Sequence, residues 1–129
     1  MKILLDTRIL LWWLAADPNL PPGADAAIAD PATTVLVSAA TVWEIAIKKA
    51  AGRLEAPDDL LGALDANAFD TLAIAAAHAL AAGELPGHHA DPFDRMLIAQ
   101  ARAEGLTLIT VDRRFSDYEV ELIGLVNGQ

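Results

Sequence analysis

Short apolar runs alternate with helical patterns along this chain, and that alternation narrows the folds open to it. KILLD (2–6) reads as a buried strand, and TTVLVS (33–38) as a second, rich in β-branched residues. FDTLAI (69–74) and LTLIT (106–110) supply a third and a fourth, and VELIG (120–124) is a candidate fifth. Between them, helical patterns cover 7–16, 21–30, 39–52, 58–67, a run of alanines through Ala82, and Asp91 to Glu104. Asp17-Pro18 ends the first, Gly52 closes the helix over 39–52, and Gly105 stops the last. Residues 113–118 read as a short turn or helix, and Gly83–Ala90 is the most loop-like stretch. Parallel strands need helical crossovers, so this order predicts an α/β sandwich with a mostly parallel sheet.

The 129 residues suit one compact domain over 1–129, and a hydrophobic content of 54% can fill its core. No apolar run approaches the roughly 20 residues needed to span a bilayer. The charge of Asp6 interrupts the first run too early for a secretory signal, so a cytoplasmic location and no membrane partner are expected. The absence of cysteine removes disulfides, thiolate metal sites and thiol nucleophiles together. The net charge of −9 argues against nucleic-acid binding through the bulk field of the protein. It leaves open local neutralisation by metal ions, or a basic protein partner.

Three of four acids follow strand ends, where an α/β sheet presents its ligands, and the fourth, Asp94, reaches that edge only through tertiary packing that the sequence does not specify. Asp6 ends the first strand and Asp112 follows the fourth. Glu44 lies early in the helix after the second strand, and Asp94 in the first turn of the helix that feeds the fourth. Each also has a structural explanation. Thr41 and Glu44 match a capping box, and Asp91-Pro92-Phe93-Asp94 matches an N-cap, a proline at the first helical position and an acid at the third. Asp112 can cap the turn behind it. Asp6 is harder to account for, because an acid joined to a buried ILL run is costly unless paired or metal-bound. Together, four carboxylates suit phosphodiester chemistry with a hard divalent cation, which takes oxygen ligands and relieves their mutual repulsion.

The segments ILLDT with LLWWLA, SAATVWEIAIKKAAGRL, LPGHHADPFDRMLIAQA and LTLITVDRRFSDY resemble, in order, the motifs of PIN-domain ribonucleases, and most of all the VapC toxins of bacterial toxin–antitoxin pairs. The resemblance runs from Lys2 to about Ile123, and DPFDRMLIAQA is its most specific segment. It implies a PIN-like three-layer sandwich with a central sheet of four to five strands. It implies catalytic acids at Asp6, Glu44, Asp94 and Asp112, with Asp6, Asp94 and Asp112 as metal ligands. It further implies Mg²⁺-dependent endoribonuclease activity (Mn²⁺ as a substitute) on structured RNA such as tRNA or rRNA. The implied partners are a VapB-type antitoxin, a second toxin copy in a homodimer, and a heterotetramer or larger complex with antitoxin. One departure stands out: Arg8 occupies a position where relatives commonly carry a neutral polar residue or histidine. A guanidinium there can grip the acids, compete with metal and attenuate activity, or else face outward or bind RNA phosphate.

Other residues carry weaker signals. Lys48, Lys49 and Arg53 follow Glu44 at helical spacing, and Arg95, Arg113 and Arg114 flank the acids. Lys48, Arg95 and Arg113 are the candidate RNA-phosphate contacts; a solvated helix face or a surface ion pair is the plain alternative. Adjacent Trp12 and Trp13 predict one buried and one half-buried ring, with one open to a partner. His88-His89 form a loop edge at the mouth of the acidic pocket rather than a zinc site. Ser38 and Thr110 can hydrogen-bond a carboxylate, Ser38 more simply acting as a helix cap. A receiver or haloacid-dehalogenase domain wants paired acids or Asp-x-Asp at the first strand, and Asp6-Thr-Arg lacks both. A non-catalytic acidic module that binds a basic partner is the remaining alternative.

Overall fold

The structure, a computed structural model, describes residues 1–125. Its elements are β1 (Lys2–Leu5), α1 (Thr7–Leu14), α2 (Pro22–Ala29), β2 (Thr34–Ser38), α3 (Ala39–Ala50), α4 (Leu60–Ala66), β3 (Asp70–Leu72), α5 (Ala76–Glu84), α6 (Pro92–Glu104), β4 (Thr107–Ile109), a 3₁₀ turn at Arg113–Asp117, and β5 (Leu122–Ile123). The expected strand over 69–74 is shorter, and α5 extends to Glu84, into the stretch read as loop. The single domain expected over 1–129 also takes in residues 126–129, which lie outside the described ones.

The strands form one sheet in the order β3-β2-β1-β4-β5, and every pairing is parallel. Leu4 of β1 is the registration point, opposite Leu36 on one side and Leu108 on the other. Successive side chains of a strand face opposite ways. Ile3 and Leu5 therefore join Val35, Val37 and Ile109 on one face, beneath Ile9 and Leu10 of α1, Ile28 of α2, Ile45 of α3 and Leu64 of α4. Leu4 and Leu108 face the other way, against Leu97, Ile98 and Ala101 of α6 with Phe115 and Tyr118. Both faces are covered, which is why the strands read as continuous apolar runs rather than alternating ones. Each fully buried Leu or Ile contributes about 1.5–3 kcal/mol.

The strand order fixes where a ligand can sit. The chain runs outward from β1 through β2 to β3, then returns to place β4 on the other side of β1. The carboxyl ends of β1 and β4 thus flank the switch point, where an open α/β sheet leaves its crevice. Gly105, at φ +66°, ends α6 in the left-handed conformation and turns the chain into β4.

Candidate active site

A parallel strand order forces α3 to start, and α6 to start, at the carboxyl edge of the sheet, since α3 follows a strand and α6 must run back to feed one. Asp6, Glu44, Asp94 and Asp112 accordingly line one open pocket of about 390 Å³, together with Thr7, Arg8, Trp12, Lys48, Asp91 and Arg114.

Each acid is held by local structure. Asp6 caps α1, its Oδ1 accepting from the Ile9 N–H at 2.8 Å. Its Oδ2 accepts from the Thr110 hydroxyl at 2.5 Å, and the same Thr110 oxygen accepts from the Asp112 N–H at 3.0 Å. One side chain at the end of β4 thereby couples two of the acids, and the carboxylate bond expected of Thr110 is formed. Ser38 takes the other course: it caps α3 and donates to Gln100. Glu44 accepts from the Thr7 hydroxyl at 2.6 Å and from Lys48 Nζ at 2.5 Å. The capping box with Thr41 does not form, because α3 begins at Ala39 with Ser38 as its cap and Glu44 lies in the second turn. Asp94 occupies the third position of α6, behind the Asp91 cap and Pro92. Asp112 caps the 3₁₀ turn through the Arg114 N–H.

Burial, and then the charges of Asp91, Asp6, Glu44 and Asp112, push Asp94 up to about 7. Burial pushes Asp6 up to about 6, against the downward pull of the Thr110 and Ile9 hydrogen bonds. Burial also pulls Asp112 upward, but the side-chain and backbone hydrogen bonds from Arg114 outweigh it and leave that acid below its ordinary value.

The cations differ from expectation. Arg8 does not grip the carboxylates; its guanidinium lies 5.9 Å from the centre of the Trp12 ring. The two-point grip exists, but Arg114 makes it, with Nε 3.1 Å from Asp112 Oδ1 and Nη2 2.8 Å from Oδ2. Arg95 must be removed from the candidate phosphate contacts. Its guanidinium donates to the carbonyls of Ala82, Gly83, Leu85, Pro86 and His89, so its donors are spent closing the end of α5 and the following loop. Lys48 is committed to Glu44, and Arg113 is exposed at the head of the 3₁₀ turn. Trp12 and Trp13 are both half-buried, rather than one of them fully, because both lie at the margin of the α1 stripe; Trp13 donates to Asn67 at 3.0 Å.

Sequence reasoning placed the histidines at the pocket mouth but missed what His89 does. His88 is exposed against Tyr118, whereas His89 is 2% exposed with Nε2 at 2.9 Å from Asp94 Oδ2 and 3.4 Å from Asp112 Oδ2. His89, Asp94 and Asp112 are grouped closely enough for one ion to reach all three. Thr7, which orients Glu44, was likewise missed. The signal for both was position: each lies within the same sheet edge as the acids.

A PIN domain model matches residues 3–121 of the chain. The chain belongs to the PIN-domain family. Ribonuclease VapC22 of Mycobacterium tuberculosis is 31% identical to this PIN domain over 119 residues, which cover 90% of this chain and 91% of the relative. Among solved structures, DNA-bound VapBC from Salmonella typhimurium matches with a TM-score of 0.69 at 18% identity, over 95% of this chain and 97% of the other. VapBC2 from Rickettsia felis, bound to a DNA fragment from its promoter, matches with a TM-score of 0.68 at 17% identity, over 95% and 98%. At such identities the structural matches speak for the PIN fold itself.

Proposed function

We propose that this PIN domain is a divalent-metal-dependent endoribonuclease, the toxin of a VapBC-type toxin–antitoxin pair, acting on structured RNA of the tRNA or rRNA kind. The observation that carries this reading is the pocket of four carboxylates in which Asp94 and Asp6 are pushed up to about 7 and 6. Acids that repel one another in this way become an asset when a cation is present. The donor set fits a hard ion: carboxylate oxygens from Asp6, Asp94 and Asp112 suit Mg²⁺, with Mn²⁺ as its substitute. A bound ion of this kind supplies positive charge against the phosphodiester and makes water a stronger acid.

The chain's own residues do the rest. Thr110 fixes the Asp6 carboxylate, and Thr7 and Lys48 fix Glu44, so the acids are aimed before substrate arrives. Glu44, Asp6, Asp94 and Asp112 are the groups available to accept a proton from an attacking water. Lys48 at the pocket wall and the exposed Arg113, next to Asp112 in the chain, are the candidate phosphate contacts. Arg8 attenuates the site through its charge rather than by a grip: it acts on Asp6 across space and opposes a second cation.

The partner is a VapB-type antitoxin with a basic tail. The matched structures are themselves described as VapBC complexes, and Asp112 already accepts the fork of Arg114, the group an antitoxin arginine would replace. Trp43 and Ile47, exposed on α3 with Trp43 edge-on to Phe93, provide an apolar face for a homodimer.

The test is cleavage of a tRNA and rRNA mixture by the purified toxin across a Mg²⁺ titration, with chelator as control. Asp6→Asn and Asp94→Asn are expected to lose activity by on the order of 10²–10³-fold. Metal-independent cleavage, or a folded wild-type chain with none, would leave the acids as a binding surface for a basic partner.

A further inference from the structure

His89 is not one of the four acids, yet it is the most deeply enclosed polar ring at the site, with a side chain 0% exposed. We propose that His89 is a positioning residue: its Nε2–H stands between the carboxylates of Asp94 and Asp112, holds them at ligating separation, and so sets how tightly the site takes a divalent ion. The proposal rests on the metal-dependent reading above.

The ring's proton can be assigned from its surroundings. Nδ1 accepts a hydrogen bond from the Asp91 N–H at 3.2 Å, so the neutral ring carries its proton on Nε2. That nitrogen lies 2.9 Å from Asp94 Oδ2 and 3.4 Å from Asp112 Oδ2, in line with neither. A buried N–H is costly without an acceptor, and these two oxygens are the acceptors within its reach. Direct ligation by Nε2 would move the proton to Nδ1, where it would meet the Asp91 N–H head-on. The ring therefore suits an outer-shell donor and not a ligand.

The ring is also prevented from turning away. The His89 N–H donates to the Tyr118 hydroxyl at 2.9 Å, and that hydroxyl donates to Pro86 O at 2.7 Å. The His89 carbonyl accepts from Arg95 Nη1 at 3.0 Å. The ring itself packs edge-on to the buried Phe115, with centroids 5.6 Å apart. The backbone anchors hold the loop in place, while the Asp91 N–H on Nδ1 and the Phe115 contact hold the ring with Nε2 toward the two carboxylates.

Mn²⁺ binding to the full chain, read from the electron paramagnetic resonance of free Mn²⁺, tests this together with thermal melting of the metal-free protein. Outer-shell partners of metal ligands are worth about 10–100-fold in metal affinity. His89→Phe keeps the aromatic packing and removes the donor; it is expected to weaken Mn²⁺ binding about tenfold or more. His89→Gln returns an N–H near the position of Nε2 and is expected to recover most of that loss at a similar melting temperature. His89→Met replaces the Phe variant if the latter does not melt cooperatively. A donor-free variant with the wild-type Mn²⁺ midpoint overturns the proposal. So does an imidazole nitrogen coupling in the electron spin-echo spectrum of Mn²⁺ on the wild-type chain, which would make His89 a ligand; this measurement needs no variant. If the wild-type chain binds no Mn²⁺, the metal reading falls and the proposal falls with it, whereas wild-type binding with unaffected variants removes His89 alone.

Discussion

At the scale of the residue, the raised acids have a consequence for stability. Asp94 and Asp6 keep their protons in the folded chain to about pH 7 and 6, above the ordinary value of 3.8 that applies unfolded. Between about pH 4 and 7 the folded state therefore binds more protons, and through these two groups the metal-free protein loses stability as pH rises through that window. Asp94→Asn removes the larger contribution. The metal-free variant should melt at the wild-type temperature near pH 4 and above it at pH 8, at about 4 °C per kcal/mol regained. If Asp94 is a metal ligand as proposed, saturating Mg²⁺ should close the gap at pH 8 by stabilising the wild type alone. Equal melting temperatures at pH 8 without metal would show that Asp94 is not strained by its neighbours. Arg8 is tested by its charge. Arg8→Asn and Arg8→His should lower the Mg²⁺ midpoint for RNA cleavage by up to about tenfold, equivalent to about 1.4 kcal/mol. If wild type and variants share one rate and one midpoint, Arg8 is a bystander at the rim.

At the scale of the element, the important piece is the loop between α5 and α6. It has no regular structure, yet Arg95 donates to three of its carbonyls and to two at the end of α5, and Tyr118 clasps it from the other side. A planar fork with fixed donors suits such a set of acceptors, and an ammonium does not. Arg95→Lys is therefore expected to destabilise the fold by about 1–3 kcal/mol, the range for leaving desolvated acceptors unsatisfied, here the part-buried carbonyls of Ala82, Leu85 and His89. It should also weaken metal binding, because the loop carries His89. Denaturant unfolding and Mn²⁺ titration of the same variant separate the two effects. A variant as stable as wild type would mean that water replaces the fork without cost.

At the scale of the whole molecule, the net charge of −9 sets how the protein meets RNA. The bulk field repels a polyanion, so the proposed RNA binding would rest on a few local contacts and bound metal. The slope of log affinity against log salt should accordingly be shallow, matching one to three phosphate contacts at about 0.7–0.9 per contact. A Lys48→Ala and Arg113→Ala double variant should flatten it further; a slope unchanged by the pair would move the RNA path elsewhere. The same field favours a basic antitoxin. Its complex should survive moderate salt if apolar contacts with the half-buried Trp12 and Trp13 anchor it, since salt screens the exposed pairs and leaves apolar contacts intact. Dissociation in moderate salt, seen by size exclusion, would leave charge as the whole of the attraction.

Much of this molecule was legible before folding. Buried parallel strands must be apolar throughout and must be joined by helices, so KILLD, TTVLVS and LTLIT announced the sheet, and the strand ends announced Asp6 and Asp112. Asp91 and Pro92 marked the start of α6 because a cap is a local hydrogen bond, readable within four residues. Pairings across long separations were not readable in that way. Which arginine grips an acid depended on the 3₁₀ turn that folds Arg114 back onto Asp112, while Arg8, in the first turn of α1, lies over Trp12 one turn further on. Arg95 sits beside Asp94 in the chain but points away from it, since neighbours on a helix diverge by about 100°. The role of His89 arises only when the ends of β4 and α6 meet around it, which brings Asp112 and Asp94 to one nitrogen. Local rules determined the elements and the edge where the acids gather; tertiary packing alone decided which side chains hold those acids in place, because hydrogen bonds between distant residues leave no periodicity in the sequence.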